Sequence, residues 1–155
     1  YKKIPAGLSS FIFTSQNDNE VFYRSNMQLS ENFNYTMICH GTKSRPQVLL
    51  LPDTNYNFKS NNFNLRIVNL SSNHSSLKLI LKEQNDTISS LNYLAYTSIM
   101  HIANATATIQ ITDNSSSSVF ETTANIRLES NALNILILND QFAGGLETRL
   151  VKVRE

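Results

Sequence analysis

The sequence predicts an all-β chain of Greek-key, immunoglobulin-like β-sandwich units in tandem, the first of them partial. Three observations carry that expectation. Apolar residues recur with a period of two, short apolar runs are separated by turn-forming residues at intervals of roughly 8 to 15 residues, and one succession of motifs occurs twice. A period of 3.6 is not convincing anywhere. The segment SSLNYLAYTSIMHIANA comes closest to a helix, and its β-branched and aromatic residues argue against one.

Taken in order, Phe11 and Phe13 alternate with polar neighbours as a half-buried strand does. TMIC, from Thr36 to Cys39, is denser and suits a central strand covered on both faces. After the Asn-rich NYNFKSNNFN, the run Leu65, Ile67, Val68 and Leu70 is rich in β-branched residues and closes on the loop chemistry of SSNHSS. It opens a complete unit, with strands expected near residues 65–70, 77–82, 92–102, 105–112, 119–128, 133–138 and 147–153. Seven is the usual number for a Greek-key sandwich. QNDNE, KEQND, DNSSSS and NDQFAGG are the turn signals.

The repeat sets the domain organisation. IPAGLSSFIF, from Ile4, aligns with IANATATIQI, from Ile102, and Val21-Phe22 aligns with Val119-Phe120 at the same offset. One residue out of step, LSENFNYTMICHG from Leu29 matches LESNALNILILND from Leu128, and VLLLPD from Val48 matches the terminal ETRLVKV. Residues 1–58 therefore read as the C-terminal part of a first repeat and residues 63–155 as a complete second one. The first repeat lacks a stretch equivalent to Leu65–Ser98. Such a remnant would bury little surface and leave a long strand edge open. The missing strands are expected either upstream of Tyr1, the preferred source, or from a neighbouring subunit by donor-strand complementation.

These motifs resemble the bacterial domain-of-unknown-function 4397 family. The opening Tyr1-Lys-Lys-Ile-Pro-Ala-Gly7 is similar to its mid-domain Y-x-x-[IV]-P-A-G turn, and Tyr35, Thr36 and Gly41 fall where its YT…G element does. The second copy departs from the pattern. Ile99, Asn104 and Ala105 stand for Tyr, Ala and Gly, and Asn134 and Asp140 stand for the later Tyr and Gly. The resemblance implies tandem domains in exported, surface or spore-associated bacterial proteins and assigns no activity.

Composition narrows the function classes. A formal charge of +1 gives no field for steering onto nucleic acid, and no run approaches the roughly 18 apolar residues of a membrane helix. Charged residues make up only 16% of the chain, so Asn and Ser do the solvating. A single cysteine, Cys39, excludes an intrachain disulfide framework and is expected as a buried, inert thiol.

Chemistry-bearing residues have bland explanations. His40, His74 and His101 lack metal-ligand spacing and read as surface or strand-end residues. Asp18, Asp53, Asp86, Asp113 and Asp140 all fall in expected turns, where they bond nearby backbone N–H groups. DNSSSS lacks the central Gly and distal Glu of a calcium loop, no serine sits in a G-x-S-x-G elbow, and AGG at Ala143 has no following Lys or helix start. Six sequons, at Asn34, Asn69, Asn73, Asn85, Asn104 and Asn114, are compositional in a chain this rich in Asn and Ser. Tyr93 and Tyr96, with Tyr56 and Phe58, are the candidate glycan or partner contacts. The expected function is that of a non-enzymatic extracellular structural protein without cofactor, on the surface of a bacterial cell or spore. It would form a homo-oligomer or polymer through strand edges. The alternative is a carbohydrate-binding or adhesive surface module.

Overall fold

The computed structural model describes residues 4–14, 20–42, 44–53, 63–114, 121–141 and 145–154. Twelve strands and no helix run through the described residues. Accordingly no helix there is long and apolar enough to cross a membrane. Packing divides the chain into two units, Tyr1–Asn55 and Tyr56–Glu155.

The first unit holds two antiparallel hairpins, β1 (Gly7–Thr14) with β2 (Val21–Leu29) and β3 (Tyr35–Thr42) with β4 (Arg45–Pro52). Period-two patterning fixes the faces of β1: Gly7, Ser9, Phe11 and Phe13 are half-buried, and Leu8, Ser10, Ile12 and Thr14 point outward. Pairing runs from Gly7↔Leu29 to Phe13↔Tyr23 and then slips to Thr14↔Val21, a bulge that bends the strand end. Phe13 packs on Tyr23 with ring centroids 5.7 Å apart. The β3–β4 turn is tight, from Thr42 to Arg45. Gly41 is required there, because its φ is +87° and a Cβ would stand 2.5 Å from the Arg45 carbonyl oxygen.

The second unit is a sandwich of two four-stranded sheets. Its strands are β5 (Phe63–Asn69), β6 (Ser76–Leu81), β7 (Asp86–Asn92), β8 (Met100–Ile102), β9 (Thr106–Asp113), β10 (Glu121–Arg127), β11 (Leu133–Asp140) and β12 (Leu146–Val153). One sheet has the order β10-β9-β6-β7 and the other β12-β11-β5-β8. All pairs are antiparallel except β5 with β11. The alternating apolar residues of β6 and β9 meet those of β5 and β11 in one core containing Leu65, Ile67, Leu77, Leu79, Leu81, Ile109, Ile111, Leu136 and Leu138. β5 is buried almost throughout and β11 over most of its length because they are central strands of their sheet.

Three expectations need correction. The strand expected over residues 92–102 is reduced to the short β8, and β7 lies before it over a stretch where no strand was expected, so this unit has eight strands among the described residues rather than seven. The chain turns at Tyr93–Leu94, where Leu94 has a φ of 63°. Cys39, expected to be buried, is exposed. His74, expected at the surface, is buried, with Nδ1 hydrogen-bonded to the Asp113 carboxylate at 2.9 Å.

Pairing geometry recurs between the units. Gly7 pairs with Leu29, and the aligned Ala105 carbonyl accepts the Leu128 N–H at 2.7 Å. Phe13↔Tyr23 has its equal in Ile111↔Thr122, and Tyr35↔Pro52 in Asn134↔Lys152. The corner before the second hairpin also repeats. Asn32 and Asn131 take left-handed φ values of 62° and 56°, and the side chains of Tyr35 and Asn134 accept the N–H of Ser30 and Glu129 at 3.1 and 3.0 Å. The equivalent local bond is made by a phenol in one unit and by an amide in the other.

Candidate functional site

Two surfaces stand out, one in each unit. In the second unit Tyr93, Leu94 and Tyr96 are all exposed on the segment between β7 and β8. A leucine in the left-handed region is sterically costly, and the surrounding hydrogen bonds hold it there. Tyr93 N–H donates to the Ser75 carbonyl, Leu94 N–H to the Asn69 carbonyl and Ala95 N–H to the Asn92 carbonyl, at 2.8, 2.8 and 2.9 Å. Thr97 closes the segment against β5, its N–H donating to the Ile67 carbonyl at 2.9 Å and its hydroxyl accepting the Ile67 N–H at 3.1 Å. The Arg66 guanidinium lies 5.4 Å from the Tyr96 ring centroid, a cation–π distance that fixes the ring.

Asn69 ties this segment to the neighbouring loop. Its backbone N–H donates to the Ala95 carbonyl at 3.0 Å. Its side-chain amide donates to the carbonyls of His74 and Leu91, and its side-chain oxygen accepts the Ser71 N–H. A fully buried Asn69 cannot carry a glycan in the folded chain, whereas the other five sequon asparagines are exposed.

Asp140, at the end of β11, clasps the same loop from across the sheet. Its carboxylate accepts the Ser71 hydroxyl; it also accepts the Ser72 N–H and the Ser72 hydroxyl, both at 2.9 Å, and the Asn73 N–H at 3.2 Å. Partial burial alone would raise its pKa, but these donors outweigh burial and hold the carboxyl below its usual 3.8. A depressed folded value means that the stabilisation is complete above pH 3.8 and is lost as the pH falls through the lower folded value. Urea titrations across that acid limb should therefore show a steeper loss for the native chain than for Asp140→Asn.

The expected aspartate turns are partly long-range contacts instead. Asp113 ends β9 against His74, and Asp53 accepts the Thr36 hydroxyl at 2.7 Å. Asp86 shows the expected local bond, accepting the Thr87 N–H at 2.8 Å. Asp18 lies outside the described residues, as do Tyr56 and Phe58. Tyr93 and Tyr96 are both exposed on one short segment, and Leu94 between them is the member that aromatic counting missed. Among the described residues no three His, Cys, Asp or Glu side chains are placed to hold a metal ion.

The first unit presents the other surface. Each of its strands pairs with one neighbour only among the described residues. Phe11, Phe13 and Met37 are half-buried and Cys39 is exposed, although the aligned Ile109, Ile111, Leu136 and Leu138 in the second unit are all 0% exposed. What covers the latter is β5 and β6. Desolvation raises the Cys39 pKa, keeping it a thiol near neutrality.

A model of the family described as Domain of unknown function (DUF4397) matches residues 1–80 of the chain. No curated protein matches it.

Proposed function

The chain belongs to the DUF4397 family of domains of unknown function, and from that premise we propose that it is a non-enzymatic extracellular structural protein. In this reading it is built from tandem sandwich repeats, the first of them partial, that assemble through strand edges on the surface of a bacterial cell or spore. The carrying observation is the set of strand edges in the first unit left without a neighbour among the described residues. Such edges are templates for another chain, and an apolar inner face beside them adds a driving force for association. A polar, weakly charged Asn- and Ser-rich surface also lets subunits approach with little charge desolvation. The repeated corner and pairing registers support the tandem part of the reading.

Electron microscopy of the native material is the test: ordered fibres or layers are expected, and a monodisperse monomer at all concentrations would overturn the proposal. A second reading, a carbohydrate-binding or adhesive surface, is favoured by the exposed Tyr93-Leu94-Tyr96 segment and its strained Leu94. The same preparations separate the two. Tyr96→Ala leaves assembly intact under the structural reading and abolishes glycan retention under the adhesive one.

A further inference from the structure

In the second unit β7 ends one sheet and β8 ends the other. Between β8, the start of β7 and the turn before it lies an open groove of about 630 Å³, lined by Gln84, Asn85, Asp86, Met100 and His101. Its side chains are held by the fold. Gln84 Nε2 donates to the His101 carbonyl at 2.6 Å, His101 Nδ1 lies 2.7 Å from Asn64 Oδ1, and Asp86 Oδ1 accepts the Thr87 N–H at 2.8 Å. Asn85 takes a left-handed φ of 49°, and Glu83 pins the same turn to β9, both of its carboxylate oxygens lying 2.9 Å from the Thr108 nitrogen. Groups held in this way lose little freedom when a ligand arrives.

What these bonds leave over is mainly acceptors. Asn64 Oδ1 can only accept, so the His101 proton sits on Nδ1 and Nε2 of the neutral ring offers a lone pair. That Nε2, Gln84 Oε1, Asp86 Oδ2 and the Asn85 side-chain amide make no hydrogen bond among the described residues. The occupant must therefore bring donors. No Lys or Arg lines the groove to hold an anion, and among the described residues no three His, Cys, Asp or Glu side chains are placed for a metal ion. Met100, half-buried, is the one apolar lining residue, too little for a hydrophobic ligand but enough to support the C–H face of a sugar ring.

We propose that this groove binds a neutral saccharide, whose vicinal hydroxyls donate to the Asp86 carboxylate, Gln84 Oε1 and His101 Nε2 and bond the Asn85 amide in both senses. The inference rests on the carbohydrate-binding reading for its ligand class and gives that ligand a different place. Along β5, Tyr96 bridges Val68 whereas His101 pairs with Asn64. The groove and the Tyr93-Leu94-Tyr96 segment are thus separated by roughly 13 Å of strand.

The full chain, labelled with nitrogen-15, is titrated with the methyl glycosides of glucose, galactose, mannose and N-acetylglucosamine, and its amide and side-chain N–H resonances are followed. At least one glycoside should shift the signals of Gln84, Asn85, Asp86 and His101 along a saturable curve. Asp86→Ala should weaken that binding at least about tenfold, through the loss of hydrogen bonds to a charged group. His101→Ala should weaken it too, His101→Gln should restore part of the affinity by returning an acceptor, and unchanged unfolding midpoints confirm that each variant is folded. Tyr96→Ala should leave the binding as it is. No shift at about 100 mM of any glycoside would overturn the proposal. Shifts confined to Tyr93–Tyr96 and abolished by Tyr96→Ala would sink this inference and leave the carbohydrate-binding reading standing at its tyrosines. Larger shifts from methylammonium chloride than from every glycoside would make the Asp86 charge, rather than hydroxyl donation, the basis of recognition and likewise overturn it.

Discussion

Replacing Asn69 with alanine is expected to destabilise the second unit by about 3–5 kcal/mol, because three buried backbone groups lose their partner at once. The carbonyls of His74 and Leu91 and the N–H of Ser71 all depend on this one side-chain amide. Asn69 itself is completely buried, so water cannot take over without opening the loop. The loss should spread along the segment that carries Tyr93 and Tyr96, since the Asn69 backbone also holds Leu94 and Ala95. Denaturant unfolding measures the magnitude, and hydrogen exchange at Leu94 and Thr97 measures the spread. A variant within about 1 kcal/mol of the native chain would show that the amide is replaceable.

The second large effect is a contrast between two aligned positions. Leu136→Ala removes a side chain with no exposure from between the sheets and should cost about 2–5 kcal/mol through lost burial and a residual cavity. Met37→Ala, at the aligned position in the first unit, removes a side chain that is only half-buried and should cost less than about 1.5 kcal/mol. Exchange probes placed in each unit are the suitable measurement, because two units need not unfold in one transition. Equal penalties would mean that Met37 is covered as well as Leu136.

Much of the fold could be read from side-chain alternation. Leu77, Leu79 and Leu81, and Ile109 and Ile111, point inward as their period of two requires. The dense NILIL run sits in a strand flanked on both sides. Alternation failed at β7, where DTISSLN offers the core little beyond Ile88 and Leu91 and lies at the edge of its sheet. It failed again at Leu94, a turn residue with none of the Gly, Pro or Asn chemistry that marks turns. Nor could local sequence place the partner of His74, which lies 39 residues away in Asp113, or those of Asp140. Cys39 was misplaced for another reason. Its flanking residues have the pattern of a covered strand, and whether a strand is covered depends on a neighbour that its own sequence does not contain.

The parallel alignment of β5 and β11 also bears on how the chain is made. Asn134 bonds the Asn64 carbonyl across 70 residues of sequence, so during synthesis β5 emerges long before the strand that will flank it. Parallel pairing over such a separation is slow to form, because a long loop must close first. In that interval a strand carrying Leu65, Ile67 and Val68 is unpaired in the nascent polypeptide, and capture by another open edge competes with correct folding. Ribosome pausing or a holding chaperone at this stage would then decide the yield of native protein more than the final stability does.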